Sequence, residues 1–131
     1  MRTLSLCLIF LLSGRDAVYA VTDTEAVEVI LGEAAGEGYI GQLAVAEVLR
    51  RRGSVQPFCS ARRPDIKEFV KKQGKQGRDT ALAAWRASEK TNLTQGATHF
   101  ENVRRYGEPW WGKKMRKVAV VKDHHFYREI R

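Results

Sequence analysis

Hydrophobic positions recur every three to four residues from Thr24 onward, a spacing that predicts an amphipathic helix. The apolar positions are Ala26, Val27, Ile30, Leu31 and Ala34. On a wheel of about 100° per residue they form one stripe roughly 140° wide, enough to face a core. Glu33 falls about 20° outside this stripe by the same geometry. We therefore expect its stem to pack on the core while its carboxyl group lies at the boundary.

Two helices joined by a tight glycine turn are predicted in this part of the chain. A capping box, Thr22 followed three residues later by Glu25, sets the start of the first helix. Glycines at 36, 38 and 41 then interrupt the pattern. A second apolar stripe begins the second helix, with Ala44, Val45, Val48, Leu49 and Arg52. This helix ends in three arginines, of which Arg50 and Arg51 are expected mainly in solvent, and Gly53 is a candidate left-handed cap. Arg52 continues the buried stripe, so both a structural ion pair and a place in the cleft are open to it.

The chain after Gly53 predicts two further helices. Pro64 suits a first helical position, and the short basic helix that follows it should end at Gly74. Residues 71–78 are polar, glycine-rich and cationic, which is typical of a surface loop. Asp79 is then a candidate cap for a helix that packs Trp85 on the core.

The last forty residues differ in character, since segments 98–100, 117–121 and 125–127 are rich in β-branched and aromatic residues. They predict short strands beside the helices. The fold class expected is therefore α+β, mainly helical, with a short C-terminal β-element.

Glu33 is the clearest candidate for chemistry. A carboxylate in the last turn of a helix lies at the negative end of the helix dipole, and apolar neighbours also remove water from it. Both effects raise the pKa. A carboxylic acid that stays protonated near neutral pH is what a general acid requires, and glycoside cleavage commonly uses one.

Three spaced segments carry a family resemblance. The runs GEAAGEG at 32–38 and GQLAVAEV at 41–48 resemble the opening motif of the SleB-like cell wall hydrolases, which include spore-cortex-lytic enzymes. GATHF at 96–100 and HFY at 125–127 are similar to its other two landmarks, in the same order. The resemblance covers residues 25–128 and implies a small lysozyme-like domain that acts on peptidoglycan with Glu33 as the catalytic acid. One departure is Arg51-Arg52, where the family usually has Asn-Arg.

The N-terminus has the pattern of a secretory signal peptide, with Arg2, an apolar run at 4–12 and a cleavage site after Ala20. We expect residues 1–20 to be the signal and 21–131 to be one catalytic domain, secreted or periplasmic, with no permanent membrane anchor. Cleavage would lower the formal charge from +8 to +7, so the domain stays basic and suits the anionic cell envelope. Cys7 would leave with the signal, so Cys59 is expected to be an unpaired, buried cysteine.

Aromatic and polar residues of the second half are candidates for sugar binding, because aromatic faces pack on the axial hydrogens of sugars and Trp and Tyr also carry a polar group. Ordinary packing within a loop is the competing interpretation for Tyr106 and Trp110. The candidate substrate-binding residues are Tyr39, Thr98, His99, Phe100, Tyr106, Trp110, His125 and Tyr127.

A metal site is a more specific alternative to sugar binding for the histidines. It would need His99, His124 and His125 to converge with Glu33, and their spacing contains no compact ligand pair. We expect no metal and no cofactor, with His124 at the surface.

The function predicted is cleavage of peptidoglycan glycan strands between MurNAc and GlcNAc by a monomer. The resemblance favours a lytic transglycosylase, in which one Glu serves as acid and then as base and leaves 1,6-anhydro-MurNAc ends. A muramidase-type hydrolase would need a second carboxylate, for which Glu37 is the nearest candidate and Glu47 and Glu101 remain open. Glu37 could equally have a structural role.

Two interpretations from other classes remain. A non-catalytic, basic module could bind anionic wall polymers in the same cleft. Nucleic-acid binding through charge alone is not expected, because the predicted signal peptide directs the domain out of the cytoplasm.

Overall fold

The computed structural model describes residues 20–131, so residues 1–19 of the predicted signal peptide lie outside the described residues. Five helices and three strands follow one another in this part of the chain. They are α1 (Asp23–Ala34), α2 (Gly38–Arg52), α3 (Ile66–Lys72), α4 (Gly74–Ala87), β1 (His99–Asn102), α5 (Val103–Tyr106), β2 (Met115–Val121) and β3 (His124–Glu129). Single turns of 3₁₀ helix lie at Ala35–Glu37, Cys59–Arg62 and Trp110–Lys114.

Helix α1 begins as the sequence predicts. The Thr22 hydroxyl accepts a hydrogen bond from the Glu25 backbone N–H at 3.1 Å, and the Glu25 carboxylate accepts one from the Thr22 N–H at 2.9 Å. The capping box is confirmed, and it satisfies two backbone donors that a helix start leaves without partners. Because its start is fixed, α1 carries Glu33 to a defined place near its end.

Helix α2 starts earlier than its apolar stripe suggested. A 3₁₀ turn at Ala35–Glu37 leads to Gly38, whose φ of 67° favours glycine, and α2 begins there. Its other end is as predicted, since Gly53 adopts the left-handed conformation with φ 67° and ψ 10°. The helix is buried continuously from Gly41 to Leu49 and forms the centre of the core with α1.

The predicted loop at 71–78 is helical, so that expectation is wrong. Gly74, with φ of 74°, forms the corner between α3 and α4. Asp79 does not cap α4, because it lies in the second turn and its carboxylate pairs with Lys75 at 2.6 Å. An i,i+4 ion pair of this kind stabilises a helical turn made of polar residues. The polar, glycine-rich composition of this segment predicted a loop instead.

Trp85 of α4 is buried, as expected, but the cation that covers it was missed. The guanidinium of Arg50 lies 3.9 Å from the centroid of the Trp85 ring and donates to the Trp85 carbonyl at 2.6 Å. It also donates to the hydroxyl of Ser88 at 2.9 Å. Arg50 therefore joins α2 to α4 and is not a solvated helix end.

Glu47, in the middle of α2, holds the loop that leads from α4 to the sheet. Its side chain is 1% exposed and accepts from the Thr91 hydroxyl at 2.6 Å and the Leu93 N–H at 2.8 Å. The N–H and hydroxyl of Thr94 add bonds at 2.9 and 2.7 Å. Burial raises the pKa of Glu47, but these donors outweigh it and hold the pKa below its ordinary value.

Arg51 works with Glu47 on the same loop. It donates to the side chains of Asn92 and Thr94, each at 2.7 Å, and to the carbonyl of Ala97 at 2.8 Å. A guanidinium can reach three partners at once because its five donors form a planar fork. The departure from Asn at this position therefore has a structural role, which is to fasten the loop that precedes β1.

The three strands form an antiparallel sheet in the order β1-β3-β2. His99 pairs with Tyr127, and a bulge separates Lys117 from Ala119 where β2 pairs with β3. The sheet packs on the helices through Phe126, which is fully buried. The predicted mainly helical α+β domain with a C-terminal β-element is thus confirmed.

Two local expectations are wrong. His124 is 2% exposed, because side chains two apart on a strand share a face and His124 therefore points inward with Phe126. Cys59 is half-buried, and the described part of the chain contains no free cysteine, so it is not an unpaired thiol. None of the helices that the structure describes is long and apolar enough to cross a membrane.

Candidate functional site

A cleft of about 640 Å³ lies where the end of α1 meets the Cys59–Arg62 turn and strand β1. Glu33 is on its floor. Polar and charged residues make up much of its lining, including Glu33, Glu37, Arg52, Ser60, Arg63, Thr98, His99, Glu101, Asn102, Arg105, Asp123 and His124. Phe58, Phe69, Phe100, Tyr106 and Trp111 supply the aromatic part.

Glycine at position 32 lets the turn that carries Ser60 approach α1. A Cβ on Gly32 would overlap the Cβ of Ser60 and lie 3.1 Å from the end of Ile66. The close approach places the Ser60 N–H 3.4 Å from Oε1 of Glu33. Any side chain at position 32 would push this turn outward, away from the carboxyl group.

Burial raises the pKa of Glu33, as the sequence predicts. Hydrogen bonding from Ser60 and electrostatic interactions with His124 and Arg63 act in the opposite direction but are smaller. Glu33 is therefore a carboxyl group on the floor of a cleft that retains its proton to higher pH than an exposed glutamate.

Glu37 lines the same cleft but is held by the hairpin between β2 and β3. Its Oε1 accepts from the Asp123 N–H at 2.9 Å, and the Nδ1 atom of His124 lies 2.8 Å from Oε1 and 2.7 Å from Oε2. These contacts join the turn between α1 and α2 to the sheet. A positioning role for Glu37 accounts for them, and its prediction as a second catalytic carboxylate stays untested.

Glu101 of β1 is the third glutamate that lines the cleft. Burial raises its pKa, and the negative charge of Glu33 raises it further. Its Oε1 accepts the N–H of Asn102 at 3.0 Å. Ionisation of Glu33 therefore disfavours ionisation of Glu101.

His99 and Thr98 form the wall beside Arg52. Burial and the positive charge of Arg52 lower the pKa of His99 to about 4, so its imidazole is neutral at neutral pH. The hydroxyl of Thr98 lies 2.8 Å from Nδ1 of His99 and fixes the orientation of the ring. A neutral imidazole offers one donor and one acceptor to a ligand in the cleft.

The tryptophan that lines the cleft is Trp111, whereas the sequence indicated Trp110. The Trp111 ring lies 5.0 Å from the ring of Tyr127 and 5.6 Å from that of His99, centroid to centroid. Trp110 is 63% exposed and is not among the lining residues. Both belong to one 3₁₀ turn, and the sequence holds no signal that says which indole faces inward.

The candidate residues predicted from the sequence divide into two groups. Thr98, His99, Phe100 and Tyr106 line the cleft with Glu33 and Glu37, whereas Tyr39, Trp110, His125 and Tyr127 do not. Tyr127 is buried and donates to Oε2 of Glu108 at 2.6 Å, and Nδ1 of His125 lies 3.1 Å from Oε1 of the same residue. Within residues 20–131, no group of three or more His, Cys, Asp or Glu side chains could hold a metal ion.

Two solved structures resemble this fold. One is the catalytic domain of the germination-specific lytic transglycosylase SleB from Bacillus anthracis, with a TM-score of 0.54 and 20% identity, covering 84% of this chain and 97% of that one. The other is the catalytic domain of the Bacillus cereus SleB protein, with a TM-score of 0.55, 20% identity and coverage of 84% and 92%. No family model and no curated protein matches the sequence. The likeness lies in the fold, and at that level the chain resembles the SleB catalytic domains, as its three sequence segments predict.

Proposed function

We propose that this protein cleaves the glycan strands of peptidoglycan between MurNAc and GlcNAc, as a lytic transglycosylase with Glu33 as its general acid and base. The observation that carries the proposal is the raised pKa of Glu33, a carboxyl group that lines an open, polar and aromatic cleft. The similar fold of a protein described as a lytic transglycosylase supports it. The site of action would be the cell envelope.

The reaction needs one proton carried in both directions. Protonated Glu33 gives its proton to the bridging oxygen as the bond from that oxygen to C1 of MurNAc breaks, which leaves an oxocarbenium-like centre at C1. The resulting Glu33 carboxylate then accepts the proton of the C6 hydroxyl of the same sugar while the C6 oxygen bonds to C1. Protons balance, and Glu33 ends protonated as it began.

The other residues of the cleft would bind and orient the glycan. Trp111 offers an aromatic face, and the neutral His99 offers a hydrogen bond near the Arg52 side. Glu101 and Asn102 also line the cleft and would contact sugar hydroxyl or acetamido groups.

The test is mass spectrometry of fragments released from purified sacculi. Wild-type protein should release fragments with anhydro ends, which are lighter than hydrolysed ends by one water. Glu33→Gln should release none, because an amide cannot donate the proton, while the exposed control Glu68→Gln on α3 should act as wild type does. Wall clearing by Glu33→Gln equal to wild type would refute the enzymatic proposal and favour the non-catalytic binding module.

A muramidase-type hydrolase is the second candidate, and Glu101 is the observation that favours it. A hydrolase needs two carboxyl groups in one cleft, and Glu101 shares the cleft and interacts electrostatically with Glu33. Glu101→Gln should abolish release by a hydrolase, whereas a transglycosylase should keep part of its activity. Hydrated reducing ends in the wild-type products would decide for hydrolysis.

A further inference from the structure

A second groove, of about 960 Å³, runs beside the Glu33 cleft and is lined by arginines. Helix α2, the Cys59–Arg62 turn and strands β2 and β3 each contribute to it, and the chain's last residues complete it. The arginines are Arg51, Arg52, Arg62, Arg116, Arg128 and Arg131, and Glu129 is the one acidic residue of the lining. We call this surface the arginine groove.

Most of these guanidinium groups have no hydrogen-bond or ion-pair partner among the residues that the structure describes. Arg51 is occupied by the loop that it shares with Glu47. Among residues 20–131, the guanidiniums of Arg52, Arg62, Arg116 and Arg128 make no hydrogen bond and no ion pair within 4 Å. Outside the groove, Arg63, Arg86 and Arg104 pair with carboxylates, Arg63 with Asp65 at 2.9 Å. The groove therefore concentrates free donors on one surface.

The sheet contributes two of these arginines in an arrangement that works against folding. Arg116 of β2 and Arg128 of β3 are direct cross-strand partners, so their side chains project from the same face. Like charges directly opposite each other destabilise a pair of strands. A bound anion between the two guanidiniums would relieve this repulsion.

The arginine groove and the Glu33 cleft are continuous. Arg52, Pro57 and Thr98 line both, and Arg52 is the half-buried cation at the junction. A ligand whose backbone crosses Glu33 would therefore reach the groove with a side branch, without any further movement of the chain.

We propose that the arginine groove binds the carboxylates of the peptide stems that branch from the glycan, so that peptide-bearing strands are the preferred ligand. The inference rests on the proposed function and specifies its substrate class. Arginine binds carboxylates in a fork of two hydrogen bonds. Peptide stems are the part of peptidoglycan that carries carboxylates and branches from the sugar that would lie at Glu33. A nucleic acid would satisfy the charges but has no covalent link to a glycan in the cleft. A phosphate polymer joined to the C6 oxygen of MurNAc would remove the C6 hydroxyl that the proposed reaction consumes.

The test measures binding with a variant that leaves the glycan intact. Glu33→Gln would be titrated with soluble, uncrosslinked peptidoglycan strands, with the same strands after an amidase has removed their peptides, and with poly(glycerol phosphate). The groove variant adds Arg116→Gln and Arg128→Gln to Glu33→Gln. The matched control adds Arg78→Gln and Arg86→Gln of α4, which remove the same charge away from the groove.

We expect peptide-bearing strands to bind about tenfold more tightly than stripped strands, a ratio that two charge-assisted contacts at an exposed surface can supply. The groove variant should lose this preference while its affinity for stripped strands stays the same, and the control should keep the preference. Circular dichroism should show both variants folded, and the groove variant should be no less stable, because a like-charge pair has been removed.

Four results would overturn the proposal. The first two are equal affinity for peptide-bearing and stripped strands, and a preference for peptide-bearing strands that survives in the groove variant. The other two are tighter binding of poly(glycerol phosphate) than of peptide-bearing strands, and no binding of either kind of strand. Failure of the proposed function would appear in a different experiment, as the absence of anhydro ends in the products of the wild type. The ratio of affinities for peptide-bearing and stripped strands could still be measured in that case.

Discussion

Replacing Glu47 with glutamine should destabilise the protein strongly, because Glu47 is the buried acceptor that holds residues 91–94. Its two oxygens together accept bonds from the Thr91 hydroxyl, the Leu93 N–H and both donors of Thr94. Glutamine keeps one oxygen and turns the other into an amide donor. The threonine hydroxyls can rotate and accept from this amide, but a backbone N–H cannot.

The expected loss of stability follows from the number of hydrogen bonds that glutamine cannot replace. Either orientation of the new amide leaves one backbone N–H, of Leu93 or of Thr94, facing an amide donor in a side-chain site that is 1% exposed. An unsatisfied buried donor costs about 1–3 kcal/mol, and hydrogen bonds to a charged group contribute roughly 1.5–3 kcal/mol. The ion pair with Arg51, at 3.4 Å, is lost as well. We expect the free energy of unfolding to fall by about 3–5 kcal/mol.

Urea unfolding followed by circular dichroism would measure this loss, with Glu89→Gln as the control. Glu89 is 67% exposed and pairs with Arg50 at 3.8 Å, so its substitution should change stability by less than about 0.5 kcal/mol. A loss below about 1 kcal/mol for Glu47→Gln would refute the reasoning, because it would show that the loop holds its place without the carboxylate.

The pH dependence gives an independent check. The pKa of Glu47 is lowered in the folded protein, so the ionised form is bound more tightly there than in the unfolded chain. Its contribution is present above the unfolded pKa and is lost as pH falls through the folded pKa. The stability gap between wild type and Glu47→Gln should therefore narrow on acidification. A gap that is constant with pH would mean that the charge of Glu47 is not the cause.

Three further predictions test the cleft. The pKa of Glu33 is raised in the folded protein. Wild type should therefore lose stability relative to Glu33→Gln as the pH rises from the pKa of the unfolded chain, about 4.3, through the pKa of the folded protein. Thermal unfolding at several pH values that shows the opposite slope would contradict this. Gly32→Ala should lower stability by about 1–3 kcal/mol and reduce wall cleavage, because its Cβ meets Ser60, whereas Gly36→Ala has open space around its Cβ and should leave both unchanged. Trp111→Ala should weaken binding of glycan strands by about tenfold. Trp110→Ala removes an exposed indole and should change the affinity by less than about twofold. The reverse order would indicate that Trp110 is the residue on which the sugar packs.

What the sequence predicted well depends on local periodicity and short-range hydrogen bonds. The capping box at Thr22 and the left-handed Gly53 involve residues within four positions of each other, so their chemistry is visible in the sequence. The position of Glu33 at the end of α1 follows from the apolar stripe in the same way. The strands at the C-terminus follow from β-branched and aromatic composition.

What the sequence did not predict depends on contacts between distant segments. Glu37 meets His124 across 87 positions, and Glu47 meets Thr94 across 47, so neither partner could be identified from spacing. His124 illustrates the consequence. Its polar side chain predicted a place at the surface. The alternation of side chains along β3 instead directs it inward, where it contacts the Glu37 carboxylate. The arginine groove was missed for the same reason, because its members come from four separate elements.

The carboxyl groups of this protein show why burial alone does not identify an acid. Glu47 and Glu33 both lose water on folding, and that loss raises the pKa of each. Glu47 accepts bonds from two hydroxyls and two backbone N–H groups, which stabilise its charge and hold its pKa down. Glu33 has one long bond from Ser60, so its charge is poorly compensated and its pKa stays raised. The number of donors aimed at a carboxylate therefore separates a residue that fastens a loop from one that can deliver a proton.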